Sequence, residues 1–176
     1  MIKLQILKKT TFLIISMFMY ISLNAKEPFL AILLNVTSNG TQNFNYGNYD
    51  FYCEQYGTIT IEDIYNKAAS KSICRKKIEA FYKKNPDLKY FSSQILYKQQ
   101  RYHIEFKNQK CVLYVKGQVS LSELLLKEGL AVQKPNFKDE EFEYDFYKSQ
   151  QKAKNLKKGL WKDKIYENCI QTIDKF

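Results

Sequence analysis

Five tyrosines fall close together in the first half of this 176-residue chain, Tyr46, Tyr49, Tyr52, Tyr56 and Tyr65, with lysines nearby. Aromatic rings beside ammonium groups suit one task well: the rings stack on unpaired bases while the charges meet phosphates. The same tyrosines also follow from a composition rich in Lys, Asn, Ile, Tyr and Phe, so base stacking is one of two readings they support. Planar recognition of two phosphate oxygens at once is confined to Arg75 and Arg101, the only arginines, because lysine binds phosphate as a point charge. His103 is the only histidine, and it falls in an alternating strand pattern, Arg101 to Glu105, that turns it outward. No two of the four cysteines stand two to four residues apart, which excludes the usual zinc spacings. Cys53, Cys74, Cys111 and Cys169 are instead disulfide candidates, with three pairings open.

These groups need a compartment and a scaffold. Lys3, Lys8 and Lys9 precede an apolar run from Phe12 to Leu23 and then Leu23-Asn24-Ala25, which reads residues 1–25 as a signal peptide cleaved after Ala25. The run is shorter than the roughly 20 residues a membrane span needs, so the mature chain is expected to carry no span and to reach the periplasm or the medium. There the cysteines meet an oxidising environment. Removing the leader takes three lysines and no acid from 28 basic and 18 acidic residues, leaving a mature net charge of about +7. That excess makes a polyanion a plausible partner and suits a soluble monomer.

One domain is expected over residues 26–162, followed by a loose tail, 163–176. Strands are expected from Phe29 to Thr37, near Tyr46 to Cys53 and from Tyr56 to Glu62, with Ser38-Asn39-Gly40-Thr41 as a turn. A helix follows from about Asn66 to Lys84, with Cys74, Ile78 and Phe81 on one face and Asn85-Pro86 as its stop. Strands return around Phe91 to Tyr97, Arg101 to Phe106 and Lys110 to Val115. A short helix from Leu121 to Glu128 ends at Gly129. A longer one begins after Pro135, with Asp139, Glu140 and Glu141 at its start, Phe142, Phe146, Ala153 and Leu156 as its stripe, and Gly159 as its end.

Two segments carry a resemblance. Val119-Ser120-Leu121-Ser122-Glu123-Leu124-Leu125-Leu126-Lys127-Glu128-Gly129-Leu130-Ala131-Val132 resembles the segment V-N-x-x-L-V-x-x-G-L-A-x-V of the staphylococcal nuclease (thermonuclease-like) family. Tyr147 to Trp161, with Ala153, Lys154, Gly159, Leu160 and Trp161 at the matching places, resembles the family's closing pattern, which ends in G-(L/I)-W. Both lie in the family's order and near its spacing. The resemblance implies an α+β fold: a five-stranded OB-fold β-barrel with one helix between strands 3 and 4 and two C-terminal helices, the second anchored by Trp161.

It also implies an activity and its residues. Members hydrolyse phosphodiester bonds of DNA or RNA with calcium held by carboxylates, a Glu that activates water, and two arginines on the phosphate. The family's D-G-D-T turn falls on Ser38-Asn39-Gly40-Thr41, which has no carboxylate. Laying the next strand and loop on Thr58 to Asn66 puts Asp63 on the metal-binding Asp, Thr58 on the first arginine and Asn66 on the general base. The second arginine falls on Lys110, or on Arg101 if one extra hairpin intervenes. Asp50, Glu54, Glu62 and Asp63 could rebuild a calcium site from shifted positions. The implied set is thus Lys110, Arg101 and Asn66 for catalysis, Asp63, Glu62 and Asp50 for the metal, and Tyr49, Tyr52, Tyr65 and Lys107 for nucleic acid. The alternative is a nuclease-like barrel without the reaction that binds nucleic acid, another polyanion or a protein in the cell envelope; there Asp63 serves only as a helix cap.

Overall fold

A computed structural model describes residues 28–176; the expected signal peptide lies outside the described residues. Strands β1 (Phe29–Val36), β2 (Thr41–Tyr46) and β3 (Tyr49–Glu54) form an antiparallel meander. β4 (Thr58–Thr60) leads directly into helix α1 (Ile61–Lys67), and α2 (Ile73–Lys84), a 3-10 turn (Pro86–Tyr90) and α3 (Phe91–Ile95) follow. β5 (Arg101–Lys107), β6 (Lys110–Lys116) and β7 (Val119–Ser120) complete a sheet ordered β3-β2-β1-β5-β6-β7. Then come α4 (Leu121–Lys127), β8 (Ala131–Gln133), which pairs with β4, α5 (Glu143–Asn155), a 3-10 turn (Gly159–Trp161) and α6 (Ile165–Ile173).

This is a mixed α+β fold compatible with an OB-like barrel, with differences from the expectation. The sheet has six strands rather than five, and it curls until the end of β3 meets β6. There Gln55 bridges Cys111, the Tyr56 N–H donates to the Cys111 carbonyl at 2.9 Å, and Cys53–Cys111 forms a disulfide. The ladder is not continuous across that seam. Where one strand near Tyr46 to Cys53 was expected, β2 and β3 form a hairpin that turns at Gly47. Residues 56–62 divide between β4 and α1, because Thr60 caps the helix with its hydroxyl. The single expected helix becomes α1 and α2, each with its own cap, Thr60 and Ser72. The strand expected at Phe91 to Tyr97 is helical: Pro86 opens a 3-10 turn, and Phe91, Ile95 and Leu96 turn the same way toward the core.

The tail expected after Lys162 is a docked helix. α6 buries Ile165, Cys169 and Ile173, spaced to form one helical face, and the Cys74–Cys169 disulfide ties it to α2 with the Cα atoms 4.8 Å apart. Of the stripe expected on the preceding helix, Phe142, Phe146 and Ala153 are buried, whereas Leu156 at its C-cap is 56% exposed.

The two resemblance segments meet in space. Gly129 and Gly159 both have positive φ, +69° and +52°, and the Leu160 N–H donates to the Gly129 carbonyl at 2.9 Å. A Cβ on Gly159 would stand 2.1 Å from that carbonyl oxygen, so the two backbones touch only because neither residue has a side chain. Leu160 is fully buried and anchors this junction, while Trp161, the expected anchor, lies partly buried against Tyr166 with ring centroids 4.3 Å apart.

Candidate functional site

The turn between β1 and β2 sits where the resemblance places a calcium-binding carboxylate, and amides fill it instead. The Asn39 side chain is buried; its Nδ2 donates to the Leu88 carbonyl and to Glu62 Oε1, both at 2.9 Å, and its Oδ1 accepts the Ser92 N–H at 2.9 Å. Gln42 Nε2 donates to the carbonyls of Ser38 and Asn39, and Gln42 Oε1 accepts from Gln55 Nε2 at 2.7 Å. Sequence reasoning missed Asn39, Gln42, Gln55 and Ser92 as a unit. The one visible signal was Gln42 in a strand whose neighbour two residues on, Phe44, faces the core.

Gly40 occupies one of the two carboxylate positions of that turn, Ser38 being the other, and has no room for a side chain. A Cβ there would lie 2.5 Å from Thr60 Cγ2 and 3.2 Å from Thr60 Oγ1, against the 3.5–4.0 Å or so at which carbon atoms rest. Its partner in that contact is itself committed: Thr60 Oγ1 accepts the Asp63 N–H at 3.3 Å, while Asp63 Oδ2 accepts from the Thr60 N–H at 2.9 Å and from its hydroxyl at 2.8 Å. Asp63 therefore caps α1, which is the role sequence reasoning set beside metal binding.

Glu62, one residue earlier, points its Oε1 at Asn39 and at the Tyr82 hydroxyl, 2.8 Å away, and its buried Oε2 has no hydrogen-bond partner. Burial raises its pKa above the usual carboxylate value, and hydrogen bonds from Tyr82, its own backbone and Asn39 offset part of that rise. Tyr82 is held protonated by burial and by the Glu62 carboxylate it faces. Asp50 lies elsewhere, exposed on the β2–β3 hairpin, where it accepts from Asn45 Nδ2 at 2.8 Å.

The cations are likewise distributed. Lys110 opens β6 and forms an ion pair with Glu54 at the end of β3, so one of the two positions expected to meet phosphate is paired with a carboxylate. Arg101 is exposed at the start of β5, opposite Ile32. Asn66 is exposed on α1. Lys107 is enclosed by acids: Glu141 at 2.6 Å, Glu105 at 3.5 Å and Asp139 at 3.7 Å. Burial alone would lower its pKa, but these three carboxylates raise it overall. Asp139 is pulled below its usual value against the effect of burial, by the Tyr56 hydroxyl at 2.9 Å, the Glu141 and Phe142 N–H groups and Lys107. Of the tyrosines, Tyr49 and Tyr52 are 77% and 67% exposed on β3, Tyr56 is buried against Phe137, and Tyr65 donates its hydroxyl to Glu79 with Arg75 over its ring.

Of the expected site residues, Glu62, Tyr65 and Asn66 line one hollow between α1 and α2, whereas Asp50, Asp63, Arg101, Lys107, Lys110, Tyr49 and Tyr52 do not line it. Among the described residues, no group of three or more His, Cys, Asp or Glu side chains is placed to hold a metal ion. Calcium takes six to eight oxygen ligands. Among the described residues, the buried side-chain oxygens without a hydrogen-bond partner are Asn43 Oδ1, Gln55 Oε1, Thr58 Oγ1 and Glu62 Oε2, a set with a single carboxylate and too few oxygens for calcium. The residues present do not fit a family-type calcium site.

Among the described residues, no helix is long and apolar enough to cross a membrane. No curated protein matches the chain. The profile of the family described as staphylococcal nuclease homologue matches residues 71–163, from α2 through the paired glycines to the residues just before α6. With more than half its length matched, and with both resemblance segments inside that match, the chain belongs to the staphylococcal nuclease homologues.

Proposed function

We propose that the mature chain is an exported, disulfide-stapled member of this family that binds nucleic acid and does not cut it by the family's calcium-dependent route. The observation that carries this reading is the contact of Gly40 with Thr60, which closes the position of a metal carboxylate. The Lys110–Glu54 ion pair points the same way, because a carboxylate already engages one of the two cations that the resemblance offers to phosphate. Family membership supplies the nucleic-acid class of ligand. The basic balance supports it: ion pairs among the described residues engage Arg75, Lys107, Lys110 and Lys158, leaving most lysines available to phosphate. The two disulfides are consistent with an extracellular location. Calcium titration of residues 26–176 by calorimetry, beside titration with a labelled single-stranded oligonucleotide in chelator, tests the proposal. The expected result is oligonucleotide binding that weakens with salt and no calcium isotherm. Saturable calcium binding that tightens with oligonucleotide present would overturn it.

A further inference from the structure

The lysines outside ion pairs are not spread evenly. Lys77 and Lys84 on α2 and Lys162 and Lys164 before α6 line one hollow of about 370 Å³, together with Ala80, Phe81, Asn85, Asp163 and Ile165. None of the four lysines makes an ion pair among the described residues. Lys77 Nζ instead donates to the backbone carbonyl of Asp163 at 3.1 Å, and Asp163 is the hollow's one acidic residue. Lys77 and Lys84 are two helical turns apart, about 10.5 Å along the axis at 1.5 Å per residue, with Ala80 between them adding no bulk.

Two features hold the hollow in shape. The Cys74–Cys169 disulfide pins α6 to α2, so the two walls cannot separate to relieve their mutual repulsion. Asp163 and Lys164 are both in the left-handed region, at φ +52° and +56°, a conformation non-glycine residues adopt at a cost, and this bend sets Lys164 beside the α2 lysines. Four lysines that line one hollow concentrate positive charge on one side of the molecule, and a bound anion relieves their mutual repulsion.

We infer that this hollow is a phosphate-binding subsite that takes backbone phosphates of the nucleic acid, on the α2–α6 side of the molecule and apart from the turn at Gly40. Lys76 and Lys83, exposed on the adjoining surface of α2, extend it along the strand's path. The inference rests on the nucleic-acid reading above for the polymer, and on the lysine geometry for the phosphate.

The test compares three folded mature proteins: wild type, K77Q/K84Q/K162Q/K164Q, and a charge-matched control, K98Q/K116Q/K138Q/K152Q, drawn from exposed lysines elsewhere. Circular dichroism and melting confirm folding, and the milder K84Q/K162Q pair serves if the quadruple variant does not fold. Anisotropy with a labelled single-stranded 20-mer is expected to show at least a tenfold loss for the hollow variant. The slope of log K against log salt should fall by about 2.8 for four lost contacts at 0.7 each, with a clearly smaller change in the control. Equal losses in both variants, or wild-type affinity in the hollow variant, would overturn the assignment. A second arm titrates tripolyphosphate. If the hollow binds it and wild type binds no nucleic acid, the phosphate subsite stands and the proposed function falls. If neither ligand binds through the hollow, the inference itself falls.

Discussion

Adding a single carbon at residue 40 tests the closed turn directly. Gly40 is not in the left-handed region, so alanine can adopt its backbone conformation, and the obstacle is Thr60 alone. A Cβ at 2.5 Å from Thr60 Cγ2 must gain an ångström or more, which displaces either the turn or the cap of α1. Overpacking of this kind costs about 1–3 kcal/mol, and with a urea m-value near 2 kcal/mol/M a cost in the middle of that range moves the midpoint down by about 1 M. Replacing Thr60 with Ser removes the clashing methyl and keeps the hydroxyl that caps Asp63, for a loss of about 1 kcal/mol of its own. In the cycle Gly40→Ala, Thr60→Ser and the double variant, a favourable coupling of roughly 1–2 kcal/mol is expected. Urea unfolding followed by circular dichroism measures it. If Gly40→Ala leaves the midpoint unchanged, or costs the same in the Thr60→Ser background as in the wild type, the contact does not close the turn and the reasoning fails.

Other consequences can be checked in the same way. Gly129→Ala puts a Cβ 2.3 Å from the Lys158 carbonyl oxygen and strains a φ of +69°, so it should cost about 3 kcal/mol or more, read as a lowered urea midpoint or failure to fold. Replacing Cys74 and Cys169 with Ala opens a loop spanning 95 positions, worth about 4–5 kcal/mol in the chain-entropy view; the melting temperature should drop and protease should remove α6 first. Lys107→Met leaves Glu105, Asp139 and Glu141 facing one another and should cost about 2–3 kcal/mol at pH 7. That cost should shrink in acid: Asp139, whose pKa is lowered in the fold, contributes stability above its ordinary value of 3.8 that is lost as pH falls through its folded value. A Lys107→Met penalty that stays constant from pH 7 to pH 3 would contradict the acid-cluster account.

Parts of this molecule are legible in the sequence because a single residue type decides them. Gly129 and Gly159 are readable as helix ends, since only a residue without a side chain takes a positive φ at such close approach, although their mutual contact is not. Cys74, Ile78 and Phe81 announce the buried face of α2. The spacing of Ile165, Cys169 and Ile173 carried the same signal for α6, and a charged stretch before it, Lys162-Asp163-Lys164, hid it. Asp63 illustrates the ambiguity at the site. A carboxylate at a strand-to-helix junction can cap or coordinate, and only the position of Thr60 decides between them. Lys110 reads as a free cation until β3 and β6 meet and bring Glu54 to it, a long-range pairing that no local pattern encodes. The lysine hollow was invisible for the same reason, because its two walls lie far apart in sequence and are joined by a disulfide whose pairing was open.

The most direct test of the central claim is digestion by residues 26–176 of end-labelled single- and double-stranded DNA and of RNA, with calcium, with magnesium and with chelator, beside Asp63→Ala. The account predicts no cleavage that depends on calcium, and retention of the labelled strands on the protein in chelator. Calcium-dependent cutting by the wild type that disappears in Asp63→Ala would contradict it, and would return Asp63 from a helix cap to a metal ligand.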